Sequence, residues 1–188
     1  MRRVLVIAIV AVVARAGAQA PSVPTVLTSI DSVPTQAQLD GAFGSGSAMN
    51  GLTAIALDAS GKVGNRLRAI HALVQYCTPP CADGDAAHAA LLQLVQVSPV
   101  PQSGPDLLVL RAAIESLGMM RDPNDYGALR SFLDHNSRDI RATTARALGD
   151  LCNTNAIADL RARTQFETID QVKLAISSAL RALSACPP

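Results

Sequence analysis

The chain has 188 residues and a mass of 19.5 kDa, and its 16 basic and 15 acidic residues give a formal net charge of +1. It is 49% hydrophobic but only 3% aromatic, and it contains no Trp. This length fits a single domain. The composition excludes a disordered or collagen-like chain and favours helices over a β-sandwich.

The first 20 residues have the features of a secretory signal peptide. Arg2 and Arg3 precede the apolar run 4–14, and Ala18-Gln19-Ala20 supplies the small residues that signal peptidase recognises. The apolar run is much shorter than the roughly 20 residues that a membrane-spanning helix needs. We therefore expect cleavage after Ala20, export to the periplasm or the extracellular space, and no membrane span in the mature chain.

Cleavage would change the charge balance of the protein. The signal peptide holds three arginines and no acidic residue, so 13 basic and 15 acidic residues would remain, with a net charge of −2. Nucleic acids and anionic membranes attract proteins with a strong basic excess. We therefore expect neither of them to be the partner.

Residues 21–47 differ in composition from the rest of the chain. The segment 21–35 has three prolines among Ser and Thr and no helical period, which predicts an extended, flexible leader. Residues 35–43 are a candidate for a short capping helix. Helical patterns separated by Gly, Pro, Asp and Asn occupy the remaining segment, 48–186.

A helical pattern recurs within this segment. Shifting the sequence by 31 residues aligns Leu117-Gly118 with Leu148-Gly149, and a shift of 32 aligns Ile140-Arg141 with Val172-Lys173. A shift of 44 aligns Leu73 with Leu117, which adds a further copy before the second. Recurrence at such a period is the signature of a repeat protein with about four copies.

Each copy is predicted to be a pair of helices. In the third copy, apolar or small residues at 140, 144, 147, 148 and 151 form one helical stripe, and 153–155 then break the helix. A single pair cannot bury its own apolar face, so neighbouring pairs must stack into a solenoid. The predicted pairs are 48–59 with 62–77, 85–98 with 105–120, 124–135 with 137–152, and 155–166 with 169–185.

These copies resemble HEAT repeats of the short bacterial kind that is also found in phycobilisome-lyase-like proteins. The resemblance covers residues 48–186 and is strongest in the third copy, from Ile140-Arg141 through Leu148-Gly149 to Leu160. It implies an all-α protein, an α-solenoid of about four HEAT-like helix pairs, in which the second helices line the inner side. The first copy has Asn65-Arg66, and the second has its arginine one place late, at Arg111, so the register of these two copies stays open.

Four cysteines lie in the mature chain, and an even number in an exported protein indicates disulfide bonds. Of the three possible pairings we favour Cys77–Cys81, which closes a very short loop with two prolines, and Cys152–Cys186, which would join the ends of two consecutive second helices. A zinc site is the competing interpretation. A C-x3-C spacing without a second Cys or His pair is weak evidence for one.

No catalytic or metal-binding motif is recognisable. The histidines at 71, 88 and 135 have no metal-ligand spacing, and there is no G-x-S-x-G or phosphate-binding loop. Asp122, Asp125 and Asp134 do not match a calcium-binding EF-hand loop, and Asp122-Pro-Asn-Asp is typical of a turn. We therefore predict no enzyme activity, no cofactor and no metal.

The function that remains is binding through a surface. The predicted second helices carry basic residues that form a candidate site for an acidic segment of a partner protein, with arginine suited to carboxylates: Arg66, Arg68, Arg111, Arg141 and Lys173. Alternatively, Arg66, Arg141 and Lys173 pair with aspartates of adjacent copies as a structural ladder. The sequence predicts neither the partner's identity nor the oligomeric state.

The favoured function is a non-enzymatic protein-binding or assembly module of the cell envelope. Repeat stacks supply an extended, fixed surface without a reactive pocket. One alternative is a small structural protein of the envelope without a dedicated ligand. A less favoured one is a lyase-type accessory enzyme, which one branch of the resembling proteins implies.

Overall fold

The computed structural model describes residues 24–28, 34–44, 46–77 and 86–187. The predicted signal peptide, parts of the leader and Cys81 lie outside the described residues. Within the described ranges the chain consists of α-helices, short 3-10 helices and turns, without a β-strand. No helix in these ranges is both long enough and apolar enough to cross a membrane.

The described residues contain nine α-helices. Their bounds are α1 Gln36–Phe43, α2 Ala48–Leu57, α3 Val63–Leu73, α4 Ala86–Val95, α5 Gly104–Met120, α6 Tyr126–Leu129, α7 Arg138–Asp150, α8 Ala156–Phe166 and α9 Asp170–Ser184. Four 3-10 helices accompany them, at Thr25–Leu27, Val74–Tyr76, Pro123–Asp125 and Arg130–Asp134.

The helices stack as pairs in the order of the sequence. The pairs are α2 with α3, α4 with α5, α6 and its flanking 3-10 helices with α7, and α8 with α9. Each second helix packs on the next one, from α3 through α5 and α7 to α9. The prediction of an α-solenoid with about four helix pairs is therefore confirmed.

The first helix of the third pair differs from the prediction of one helix over 124–135. Only α6 is an α-helix there, and 3-10 helices lie before and after it. Pro123 begins this region, and proline cannot donate a helical hydrogen bond because it lacks an N–H group. Gly127 lowers the stability of an α-helix here, because glycine loses more conformational freedom on folding than other residues do. The tighter winding of a 3-10 helix places residues three apart on one side, and Leu129 and Phe132 are accordingly both buried.

The core lies between the two layers of helices. In α7 the predicted stripe is confirmed, since Ile140, Thr144 and Leu148 are fully buried. The opposite side of the same helix exposes Arg146 and Asp150. Helix α7 is thus covered by its own first helix and by the second helices α5 and α9, and only one narrow side of it is exposed to solvent.

Two glycines set the spacing between second helices. A Cβ on Gly118 would lie 2.7 Å from the Cα atom and 2.8 Å from the Cβ atom of Ala147, and a Cβ on Gly149 would lie 2.8 Å from the Cα atom of Ala179. The obstructing atoms belong to or adjoin the backbone, so no side-chain rotation can relieve them. The recurring glycine at 118 and 149 therefore permits the close approach of α5 to α7 and of α7 to α9.

We expect Gly118→Ala and Gly149→Ala each to lower the free energy of unfolding by about 1–3 kcal/mol, because both overpack a helix crossing. At an open helical position the same change raises stability by up to about 1 kcal/mol. Gly64→Ala in α3 is the control, since no atom lies within 4 Å of its added Cβ. Urea denaturation of the three variants measures the effects, and a more stable Gly118→Ala protein would contradict the packing argument.

The N-terminal end of the stack is covered by residues before the first pair. Leu27, in the predicted leader, is fully buried, and its carbonyl accepts a hydrogen bond from Arg68 at 2.9 Å. Helix α1, the predicted capping helix, begins with a capping box between Thr35 and Gln38. Asp40 in this helix accepts a hydrogen bond of 2.9 Å from Tyr76, whose pKa is raised, chiefly by burial.

A disulfide bond holds the C-terminal end of the stack. The Sγ atoms of Cys152 and Cys186 are 2.04 Å apart, and their Cα atoms are 5.6 Å apart. This is the pairing that the sequence predicts, and it joins the end of α7 to the end of α9. Cys77 is also disulfide-bonded, and its predicted partner Cys81 lies outside the described residues.

Candidate binding face on the second helices

The exposed sides of the second helices form one surface, which we call the second-helix face. On α5 the exposed residues follow the helical period, from Leu108 through Arg111 and Glu115 to Met119. Leu108 and Met119 are 45% and 49% exposed, which is unusual for large apolar side chains. On α7 and α9 the surface continues through Arg146, Asp150, Leu174 and Ser178.

Shallow hollows lie along this face between successive second helices. Arg111 and Glu115 line both the hollow beside α3 and the hollow of about 170 Å³ beside α7. Arg146 and Asp150 line that second hollow and also the next one, beside α9. Because neighbouring hollows share these side chains, the face presents a continuous row of sites rather than one isolated pocket.

The charged side chains of this row have no ion-pair partner within the described part of the chain. Arg111, Glu115, Arg146 and Asp150 all lie outside the pairs whose charged atoms approach within 4.0 Å. Two are basic and two are acidic, so the row alternates in sign. The second-helix face is therefore charged without being basic overall.

The five basic residues that the sequence singled out lie in different environments. Arg111 is exposed on the second-helix face, and Lys173 is exposed on α9 with its Nζ atom 3.7 Å from Asp170. Arg68 is half-buried and donates to the Leu27 carbonyl. The other two, Arg66 and Arg141, are buried within the stack. The structure thus does not bring the five together as one surface.

Arg66 links two neighbouring pairs from inside the stack. It is 6% exposed, and its Nε atom donates to the carbonyl of Ala56 at 3.2 Å. Its Nη1 atom lies 3.4 Å from a carboxylate oxygen of Asp106, in the next copy. Arg66 therefore pairs with an aspartate of the adjacent copy, as the structural-ladder alternative predicts.

Arg141 is part of a buried ion cluster that we call the Glu167 clasp, formed by Arg141, Arg163 and Glu167. The Nε and Nη2 atoms of Arg141 donate to the two carboxylate oxygens of Glu167 at 2.7 and 3.0 Å. Its Nη1 atom donates to the carbonyls of His135 and Asn136, both at 2.9 Å. Every polar group of this guanidinium is thus directed at the protein and not at a partner.

Glu167 lies at the centre of the clasp, in the turn between α8 and α9. Its carboxylate accepts hydrogen bonds from Arg141, from Arg163, and from the N–H groups of Thr168 and Ile169. No motif in the sequence identifies Glu167 or Arg163. The one local signal for them is their spacing of four residues, at which oppositely charged helical residues meet.

The clasp predicts a pH dependence of stability. Hydrogen bonds from Arg141 lower the pKa of Glu167 from 4.5 to about 2. Because the folded pKa lies below the unfolded one, this contribution is present above about pH 5 and is lost as the pH falls towards 2. We expect a loss of about 3 kcal/mol over that range, which Glu167→Gln does not show. Urea denaturation from pH 7 to pH 2 measures it, and parallel curves for both proteins would contradict it.

The histidines also have assigned contacts. His135 lies 2.9 Å from the carbonyl of Pro101 through its Nε2 atom. The Nδ1 atom of His71 lies 3.4 Å from the hydroxyl of Ser116, but this serine is fully buried and therefore presents no nucleophile to a substrate. His88 lies with Asp122 and Asp125 in a buried cluster, the one group of side chains in the described residues with a metal-binding arrangement.

Comparisons with known proteins agree with the repeat architecture. Residues 102–181 match the family of HEAT repeats. No curated protein sequence matches the chain. Among solved structures, human deoxyhypusine hydroxylase in complex with glycerol is similar, with a TM-score of 0.56 and 21% identity over 72% of this chain and 43% of the hydroxylase chain.

The similarity to the hydroxylase concerns the fold. At 21% identity it shows a shared arrangement of helices, and this chain covers less than half of the enzyme's length. The family match covers the second pair's α5 and the third and fourth pairs, where the repeat pattern of the sequence is also most regular. This chain is an α-solenoid whose residues 102–181 match the HEAT-repeat family.

Proposed function

We propose that this protein is a non-enzymatic binding or assembly module of the cell envelope, and that its second-helix face binds a partner protein. The observation that carries the proposal is the row of Arg111, Glu115, Arg146 and Asp150, exposed charges without an ion-pair partner in the described residues. Leu108 and Met119 beside them add exposed apolar area. Methionine and arginine are both enriched in the interfaces between proteins.

The charge pattern of the second-helix face indicates which charges the partner segment carries. Alternating signs favour a segment that places carboxylates against Arg111 and Arg146 and basic groups against Glu115 and Asp150. The partner segment is thus acidic in part, as the sequence analysis predicts, but not uniformly so. Charge complementarity of this kind mainly sets specificity and the rate of association.

Location in the envelope is supported by the sequence and by the disulfide bond. Residues 1–20 have the composition of a signal peptide, and the Cys152–Cys186 bond is of a kind that persists in oxidising compartments. We expect the protein recovered from its native cells to begin at Pro21. N-terminal sequencing measures this directly, and a chain that retains Met1 would contradict export with cleavage.

Charge reversal on the second-helix face tests the binding function. Arg111→Glu and Arg146→Glu are expected to reduce capture of a partner from the native envelope by at least tenfold, because each places an acid against the partner's carboxylates. Arg161→Glu is the control, since Arg161 is also exposed but lies on α8, a first helix. Quantitative affinity capture with the wild type and the three variants measures the effect.

Two outcomes would contradict the proposal. Equal capture by all four proteins would mean that the second-helix face does not bind the partner. Absence of any saturable partner would favour the small structural protein of the envelope. A lyase-type accessory enzyme, the remaining alternative, predicts covalent attachment of a chromophore to an acceptor protein, which mass spectrometry of the captured material detects.

A further inference from the structure

A buried cluster of His88, Asp122 and Asp125 lies where the second pair of helices meets the third. His88 is in the first turn of α4, Asp122 follows α5, and Asp125 ends the 3-10 helix Pro123–Asp125. Each of the three residues is 2% exposed. One potential ligand atom from each lies within 4.8 Å of the others.

The distances within the cluster are close to those of a coordination shell. The Nε2 atom of His88 lies 2.8 and 2.9 Å from the two carboxylate oxygens of Asp125, and 3.9 Å from Oδ2 of Asp122. Ligand atoms bound tetrahedrally to one zinc ion, at about 2.0 Å each, are separated by about 3.3 Å. The observed distances lie on both sides of this value, so small side-chain shifts would accommodate an ion.

One oxygen of Asp122 has no hydrogen bond within the described residues. Its Oδ1 atom accepts from the N–H of Asn124 at 2.9 Å, whereas its Oδ2 atom is buried and unpartnered. A buried carboxylate oxygen without a donor is costly, and native proteins rarely retain one. A cation between Oδ2 and His88 would supply the missing interaction.

The equivalent turn in the next repeat forms without a carboxylate, so the turn after α5 does not need the negative charge of Asp122. Asn153, 31 residues after Asp122, makes the same turn by accepting from the N–H of Asn155 at 3.0 Å. Both turns follow a residue in the left-handed conformation, Arg121 and Cys152. The side-chain nitrogen of Asn153 donates to the carbonyl of Pro123 at 2.8 Å. An asparagine therefore satisfies this position fully, and the aspartate adds a buried charge that its turn does not use.

We propose that His88, Asp122 and Asp125 form a binding site for a divalent transition-metal ion, and that this ion is Zn²⁺. An imidazole nitrogen with carboxylate oxygens is a typical zinc donor set, whereas Ca²⁺ and Mg²⁺ take oxygen donors. Two carboxylates and a neutral imidazole carry a charge of −2, which Zn²⁺ neutralises in this buried place. Binding displaces any proton on Nε2 to solvent, because a coordinating imidazole nitrogen must be deprotonated.

The ion would join two repeats and stabilise the middle of the solenoid. His88 belongs to the second pair, whereas Asp122 and Asp125 lie in the connection to the third. The sequence shows no metal motif here because the donors are separated by 34 and 37 residues, which no short spacing rule covers. Stacking of the pairs brings them together.

Metal analysis of the refolded protein tests this site. The mature chain with intact disulfide bonds is unfolded in guanidinium chloride with a chelator, freed of the chelator, refolded with excess Zn²⁺ and dialysed, which gives the ion access while the site is open. We expect about one zinc per chain by elemental mass spectrometry and a thermal midpoint several degrees higher than in the zinc-free protein, because a ligand that binds only the folded state stabilises it.

The matched variant is Asp122→Asn, which installs the residue that the next repeat carries and preserves the turn. We expect it to fold and to lose at least tenfold in zinc affinity. Asp170→Asn is the control, since Asp170 is exposed and far from the cluster along the chain, and it should bind zinc as the wild type does. Wild-type protein that retains no zinc after dialysis would overturn the proposal, whether or not the variants fold. Equal zinc retention by Asp122→Asn would overturn it as well.

Discussion

Replacing Arg141 with Ala is expected to lower the free energy of unfolding by about 3–5 kcal/mol, the cost of removing one partner from a buried ion pair. Arg141 supplies two of the hydrogen bonds on Glu167, and its loss leaves that carboxylate buried with Arg163 as its one remaining charged partner among the described residues. It also leaves the carbonyls of His135 and Asn136 without this donor. Urea denaturation at pH 7 measures the loss.

The control for this prediction is Arg146→Ala in the same helix. Arg146 is exposed and has no ion pair in the described residues, so we expect a change within about 0.5 kcal/mol. A double-mutant cycle with Glu167→Ala isolates the interaction between the two side chains. A stability for Arg141→Ala close to that of Arg146→Ala would show that the clasp does not hold the third and fourth pairs together.

Removing the Cys152–Cys186 bond, by changing both cysteines to serine, is expected to destabilise the protein by about 3–4 kcal/mol. The bond closes a loop between residues 34 positions apart, and loops of this length give about that entropic effect on the unfolded chain. The last helix, α9, packs on α7 and α8 and on no later helix in the described residues. It therefore depends on this covalent link more than an internal helix would.

The double serine variant is more informative than a reducing agent, because a reductant would also open the disulfide bond of Cys77. Thermal and urea denaturation of the variant measure the total effect, and hydrogen exchange in α9 shows whether the last helix opens first. A loss below about 1 kcal/mol, or uniform exchange across all helices, would contradict a role for the bond in closing the end of the stack.

The sequence alone was sufficient for the architecture. Helix pairs, their order and the stripe through Ile140, Thr144 and Leu148 follow from the period of apolar residues, which is a local property of the chain. The alignment of Leu117-Gly118 with Leu148-Gly149 also marks where the second helices pack closely. The structure places both glycines at the crossings between these helices. The Cys152–Cys186 pairing was predictable because the two cysteines follow the ends of consecutive second helices.

Only the tertiary structure decided which charged residues reach the surface. Arg141 is buried, whereas Lys173, one repeat later in the same column, is exposed, because α7 has a following pair to cover it and α9 has none in the described residues. Arg111 lies one place after the column of Arg66, and one residue turns a helix by about 100°, so it faces solvent. Likewise, the clasp joins Arg141 to Glu167, 26 positions apart, and the cluster of His88, Asp122 and Asp125 joins residues up to 37 positions apart. The helical period of the sequence determines which side of a helix is apolar. Whether a charged side chain is buried in the stack or exposed to a partner depends on which neighbouring helices cover it, and this is set by the tertiary structure.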